Sequence, residues 1–170
     1  MVTEMCISAA NYIIEKVNEY NKNKTTLRDK IFMSSKRLQK ILFFSDVLYM
    51  VENEGKSMLT DDFYAWPSGP VIPSVYKKFV QYQDGEMEPC EPDKHTSLDT
   101  QMRKVIDKVF EDTMKLDTIE LIKESHVKNG PWDTIFVADS SDYRKMDKAH
   151  IYDYYKTNGA PYGRRNQRMN

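Results

Sequence analysis

Apolar residues return every three or four positions from Thr3 to about Tyr20, as Met5, Cys6, Ala9, Ala10, Ile13, Ile14 and Val17. That period puts them on one face of an α-helix, with Thr3 available as its N-cap. Cys6 falls on the apolar stripe and reads as a small buried hydrophobe. A second amphipathic helix starts at Ser34 or Ser35 and carries Leu38, Ile41, Leu42, Phe44, Leu48 and Tyr49 toward Glu54. Gly55 is its stop signal.

The middle of the chain breaks this rhythm. Ser57 to Tyr64 is short and weakly alternating, which predicts an extended arm or small hairpin. It leads into Ala65-Trp66-Pro67-Ser68-Gly69-Pro70-Val71. Pro67 biases Trp66 away from helical geometry, and Gly69 accepts backbone angles that other residues avoid. Pro70 then opens a helix with Val71, Val75 and Phe79 on one row and Ile72, Tyr76 and Val80 on another. Pro73 fits such a helix only within its first turn. Gln83 to Ser97 is polar and interrupted by Gly85, Pro89 and Pro92, so it reads as a surface loop with Cys90 exposed.

Helical period resumes at Leu98 and runs through Met102, Val105, Ile106, Val109 and Phe110 to about Leu116. Asp117 with Glu120 three residues later has capping-box spacing. The helix it opens carries Ile119, Ile122 and His126 and stops at Asn129-Gly130-Pro131. Trp132 to Ala138 is expected to add a turn or two. Asp147 caps a last helix bearing Ile151, Tyr154 and Tyr155, closed by Gly159 and Pro161. The expectation is a mainly α chain: a single compact domain of six or seven helices over residues 1–160, with a small extended or β-hairpin element around residues 57–66. Residues 161–170 have no apolar period and read as a frayed basic tail.

Charge adds a contrast that the total hides. The 170 residues carry 25 bases and 26 acids, a formal net charge of -1. Yet residues 22–40 hold seven bases (Lys22, Lys24, Arg28, Lys30, Lys36, Arg37 and Lys40) against Asp29 alone. Residues 84–112 hold nine acids against four bases. The basic run is either a solvated, compensated face or a set of phosphate contacts. Hydrophobic residues at 40% supply a core. No apolar run approaches the ~20 residues of a membrane span, and Asp46 interrupts the most hydrophobic stretch. The acidic start of the chain and its two cysteines, Cys6 and Cys90, point to a reducing, cytoplasmic setting with no membrane partner.

Catalytic patterns are sparse. The glycines are scattered, and only Gly159 and Gly163 are near neighbours, so no Walker loop, dinucleotide fingerprint or nucleophile elbow is present. His95, His126 and His150 share no helical turn, and the spacing predicts neither a metal site nor a bound cofactor. No catalytic residue is assigned, and the chain reads as a non-enzyme.

Three segments carry a resemblance. Lys36-Arg37-Leu38-Gln39-Lys40-Ile41-Leu42-Phe43-Phe44, Phe63 to Tyr76 (FYAWPSGPVIPSVY), and Ser125-His126 followed by Gly130-Pro131-Trp132 occur in that order. Together they resemble the Panacea domain, also described as the SocA-like antitoxin domain and found in GepA-like phage-associated proteins. The middle motif is the specific one, and the similarity extends over about residues 5–157. Ser125 stands where the family pattern has Thr, and Ser68 where an aromatic is common. The resemblance implies an antitoxin that binds and neutralises a cognate protein toxin, in some relatives as an adaptor to a Clp-type protease.

On that basis Trp66, Pro67, Gly69, Pro70, Tyr76, His126 and Trp132 are the candidate partner-binding residues. Trp132 reads as a core filler whose N–H needs one acceptor, whereas Trp66 is divided between core and contact. The alternative is a nucleic-acid-binding phage regulatory protein using the basic stretch from Lys22 to Lys40. A hydrolase built on His126 ranks last, because no nucleophile or carboxylate stands at close spacing.

Overall fold

Ser34 ends an extended segment and accepts the Arg37 N–H on its hydroxyl at 3.0 Å, capping a helix over Ser35–Glu52. This helix is the third element of the computed structural model, which describes residues 4–82, 85, 87–90 and 97–159. Before it come α1 (Glu4–Lys22) and a 3-10 turn (Leu27–Asp29), which makes Ser35–Glu52 α2. Then follow β1 (Tyr64–Trp66), β2 (Gly69–Val71), α3 (Pro73–Phe79), α4 (Thr100–Thr113), α5 (Thr118–Ser125) and α6 (Lys148–Asn158). The fold is mainly α with one small hairpin. Thr3, Pro161, the 161–170 tail and part of the 83–97 loop lie outside the described residues.

Helix α2 is the axis. It contacts each of the other five helices and β2. Thirteen of its 18 residues are buried, which is what a helix surrounded on all sides requires. Phe43 meets Phe63 edge-on at 5.3 Å and Tyr155 at 6.2 Å, joining α2 to the extended arm and to α6. Each such ring contributes roughly 1.5–3 kcal/mol through burial. The stripe on α1 is buried as its period predicts, Cys6 included.

Polar residues are buried in α2 as well, and four of them are matched to other segments of the chain. Arg37 donates to the carbonyls of Thr113 (3.0 Å) and Leu116 (2.8 Å), closing the C-terminal end of α4. The Gln39 amide accepts the Ile72 N–H at 2.9 Å and donates back to its carbonyl at 3.4 Å. Asp46, fully buried, accepts the Met58 and Leu59 N–H groups at 2.7 and 3.1 Å and the Ser57 hydroxyl. Lys148 completes that site 3.3 Å from Asp46 and donates to Ser57 Oγ and the Leu59 carbonyl.

The helix ends follow their local signals. Asp117 and Glu120 form the expected capping box, Asp147 caps α6, and Gly55 adopts φ +89° after α2. The extended or hairpin element expected around residues 57–66 is present: an irregular arm runs into β1, and the hairpin reaches residue 71 because Pro67-Ser68 forms the turn, pairing Trp66 with Gly69 and Tyr64 with Val71. Other expectations are displaced. Pro70 therefore sits in β2, and Pro73 opens α3. After α5, His126 is already the C-cap, and residues 131–135 turn without forming a helix. Cys90 is only partly exposed: its N–H and carbonyl pair with the Asn11 amide, fastening the acidic loop to α1.

Asp46→Ala strands two buried N–H groups and takes the carboxylate away from Lys148, so it is expected to cost about 3–5 kcal/mol. Asp46→Asn, which keeps an acceptor, should cost less. Urea unfolding of the two variants measures both, and a loss below 1 kcal/mol for the alanine would contradict the clamp.

Candidate functional site

The hairpin turn is held from beneath by a lysine. Lys40 projects from α2 with no solvent exposure, and its ammonium donates to the Pro70 carbonyl at 3.1 Å. Gly69 passes directly over it at φ +111°. A Cβ there would lie 2.6 Å from Lys40 Cε and 2.6 Å from Ser125 Oγ, so side chain and backbone both demand glycine. Ser125 in turn donates to the Ile122 carbonyl at 2.7 Å.

Above this, Trp132 is buried and donates its indole N–H to the Trp66 carbonyl at 2.8 Å. Its ring is stacked between His126 (3.6 Å between centroids, 3° between planes) and Phe136 (4.5 Å, 15°). The three segments singled out in the sequence thus converge on one point: Lys40 from the first, Trp66 to Pro70 from the second, Ser125, His126 and Trp132 from the third. Outside it, the Trp66 ring is partly covered, edge-on to Tyr76 at 5.2 Å and tilted against Tyr143 at 5.5 Å. Pro67 is exposed at the tip.

The seven residues first singled out therefore lie together but differ in access. Gly69, Pro70 and Trp132 are buried; Trp66, Tyr76 and His126 are partly so; Pro67 is open. Tyr143 and Phe136 join the cluster without any spacing signal, because a long irregular segment brings them there. The basic stretch, by contrast, divides. Lys22, Arg28, Lys30 and Lys36 are exposed, and Lys24 lies over the Tyr20 ring at 4.6 Å. Arg37 and Lys40 are removed from any phosphate-binding face, since both are buried and engaged with main-chain carbonyls.

Burial governs the chemistry of the two bases. Desolvation brings the Lys40 pKa from 10.5 down to about 7, with the Lys36 charge adding to the effect. Desolvation, and then the Lys40 charge, bring His126 from 6.5 down to about 4, against a smaller upward pull from Asp133. His126 Nε2 is buried with no hydrogen-bond partner among the described residues. With neither nucleophile nor carboxylate on that nitrogen, its ring serves as a wall of the indole stack. Among the described residues no group of three His, Cys, Asp or Glu side chains could hold a metal ion, and no helix is long and apolar enough to cross a membrane.

A model of the family described as "Antitoxin SocA-like, Panacea domain" matches residues 38–133. The match covers more than half of the chain, and the chain belongs to that family. Its span holds Lys40, the hairpin and Trp132, but is shorter than the similarity read from the sequence. Antitoxin SocA of Caulobacter vibrioides (strain NA1000 / CB15N) is 27% identical over 113 residues, covering 61% of this chain and 60% of that protein. The chain thus spans about three fifths of the length of this curated relative. No solved structure matches.

Gly69→Ala is expected to destabilise the fold by about 2–4 kcal/mol, combining an unfavourable φ with overpacking. The pH dependence follows from the two lowered pKa values. The unfolded chain binds a proton at Lys40 between about pH 7 and 10.5 that the folded chain releases, so stability rises with pH across that window. It falls as pH drops from 6.5 to about 4, where His126 is protonated only when unfolded. In Lys40→Met the alkaline rise disappears and the His126 pKa moves up. Urea midpoints against pH, with an NMR titration of the imidazole, check both statements.

Proposed function

We propose that this chain is an antitoxin-like module of a toxin–antitoxin or prophage system, neutralising a cognate protein toxin by binding it directly. Family membership supplies the antitoxin character. The observation that carries direct binding is the state of the signature turn, a rigid hairpin tip whose Trp66, Tyr76 and Tyr143 rings remain partly open to solvent. Partly covered aromatics on a fixed backbone make efficient contact anchors, because little conformational freedom is lost when a partner packs on them. Lys40, Gly69 and Trp132 fix that backbone from inside. The reading assigns no catalytic step to the chain. Delivery of the bound toxin to a Clp-type protease is the finer form of the same proposal.

Co-expression with the product of the adjacent gene tests it. Growth arrest by that neighbour should be relieved by this chain, and the two should co-elute as a stable complex. Trp66→Ala, which retains the backbone carbonyl that Trp132 needs, should weaken the complex at least tenfold with little loss of fold. Protease delivery predicts in addition that the toxin's half-life shortens when the chain is present, and only in cells with the Clp-type protease. Absence of both relief and complex would overturn the proposal.

A further inference from the structure

The bases from Lys24 to Lys30 are folded around a groove of mixed polar and apolar lining. It has a volume of about 800 Å3 and lies between the irregular segment after α1 and the junction of α4 with α5. Arg28, Lys30 and Lys115 line it, all exposed, and their side chains make no ion pair among the described residues. Arg37 lies at its base, fixed by the two carbonyls that end α4. The acids that share the groove are engaged locally: Asp29 accepts the Thr26 hydroxyl at 2.7 Å, and Asp117 accepts the Glu120 N–H at 2.8 Å.

Apolar side chains stand in the same place. Phe32 is 61% exposed and Ile119 64%, both lining the groove, and Leu27 is 89% exposed on the 3-10 turn that forms one bank. Half of the large exposed hydrophobics among the described residues are these three. Phe32 is held in this position, since its ring closes on the backbone of Gly85, whose N–H bonds the Met33 carbonyl. Isolated exposed apolar residues are ordinary, but a cluster with a polar rim marks a contact surface, and in this rim five bases stand against Asp29 and Asp117.

We propose that this groove receives an acidic amphipathic segment of the toxin, with apolar side chains on Leu27, Phe32 and Ile119 and carboxylates on Arg28, Lys30 and Lys115. The inference rests on the reading that the chain binds a protein toxin, and adds the surface and the chemistry of the contact. Charge complementarity selects an acidic partner, and the exposed apolar side chains on the banks select a protein over a nucleic acid. A phosphate backbone gains from cations but not from exposed Leu, Phe and Ile. An amphipathic helix laid in a groove meets both requirements. Helix α5 begins at this groove and ends at Ser125 beside the signature turn, a separation of about 12 Å at 1.5 Å per residue. One partner of ordinary interface size spans both.

The test uses the complex formed by co-expression with the adjacent gene's product. Arg28→Glu with Lys30→Glu, both on exposed side chains, should weaken the complex at least tenfold, mainly through a slower on-rate, and flatten its salt dependence. Ile119→Ser should raise the off-rate about fivefold while leaving the urea midpoint unchanged. Zero-length carbodiimide coupling should join Lys30 or Lys115 to a toxin peptide that carries acids between apolar residues three and four apart. A wild-type complex that forms, but tolerates these variants within twofold or cross-links only elsewhere, overturns the groove and leaves toxin binding standing. Failure of the wild-type complex overturns both. Salt-sensitive binding of duplex DNA that Arg28→Glu with Lys30→Glu abolishes, with toxin affinity untouched, overturns the groove in favour of nucleic acid.

Discussion

The desolvated polar residues of α2 are the constraint from which the rest of the architecture follows. Arg37, Gln39, Lys40 and Asp46 are buried, so each must find partners inside the protein or impose several kcal/mol of unpaired polarity. Their partners are chiefly main-chain groups at the ends of elements and in the segments between them. Arg37 takes the C-terminal end of α4, Gln39 the entry to α3, Lys40 the short strand β2, and Asp46 the arm at 57–59. Hydrophobic burial makes α2 the centre of the core, but the polar groups decide which loop lies against which turn of the helix. A purely apolar α2 would collapse as readily and specify much less.

That division explains what was legible in the sequence. Helix boundaries were readable at several local caps, Ser34, Asp117 with Glu120, Asp147 and Gly55, though the Asp99 cap of α4 went unread. The α1 stripe was readable because one face of that helix meets water. What failed was anything determined at long range. Pro70 looked like a helix start because a proline before an apolar row usually is one. Its place in β2 is fixed instead by Lys40, thirty residues earlier, reaching its carbonyl. Lys40 and Arg37 were counted with the exposed bases for the same reason, since nothing in a run of lysines and arginines reveals which ones point inward. The buried Asp46 was visible only as an interruption of the most hydrophobic stretch.

The candidate site shows the same split. Its members were recoverable from family resemblance and turn chemistry, since Trp-Pro-Ser-Gly-Pro constrains its own backbone. Their arrangement was not. Trp132 read correctly as a core indole needing one acceptor, yet the acceptor is the carbonyl of the other tryptophan, 66 residues away. Tyr143 and Phe136 were missed because neither sits on a periodic element.

A family signature that is mostly internal also separates scaffold from specificity. Lys40, Gly69, Pro70, Ser125 and Trp132 lie beneath the surface, where a partner reaches them only if the hairpin opens. Matching the signature therefore identifies a way of holding a turn, and different chains can share it while meeting different proteins. Under the proposed binding role, discrimination between partners would fall to what the scaffold leaves open: Pro67 and the outer edges of Trp66 and Tyr76 at the tip, and the charged and apolar banks of the groove at the other end of α5. Substitutions there alter exposed side chains without disturbing the buried contacts of α2. In a module built this way the surface can vary by substitution alone, while its interior remains under the strict steric and electrostatic demands of the lysine beneath the glycine.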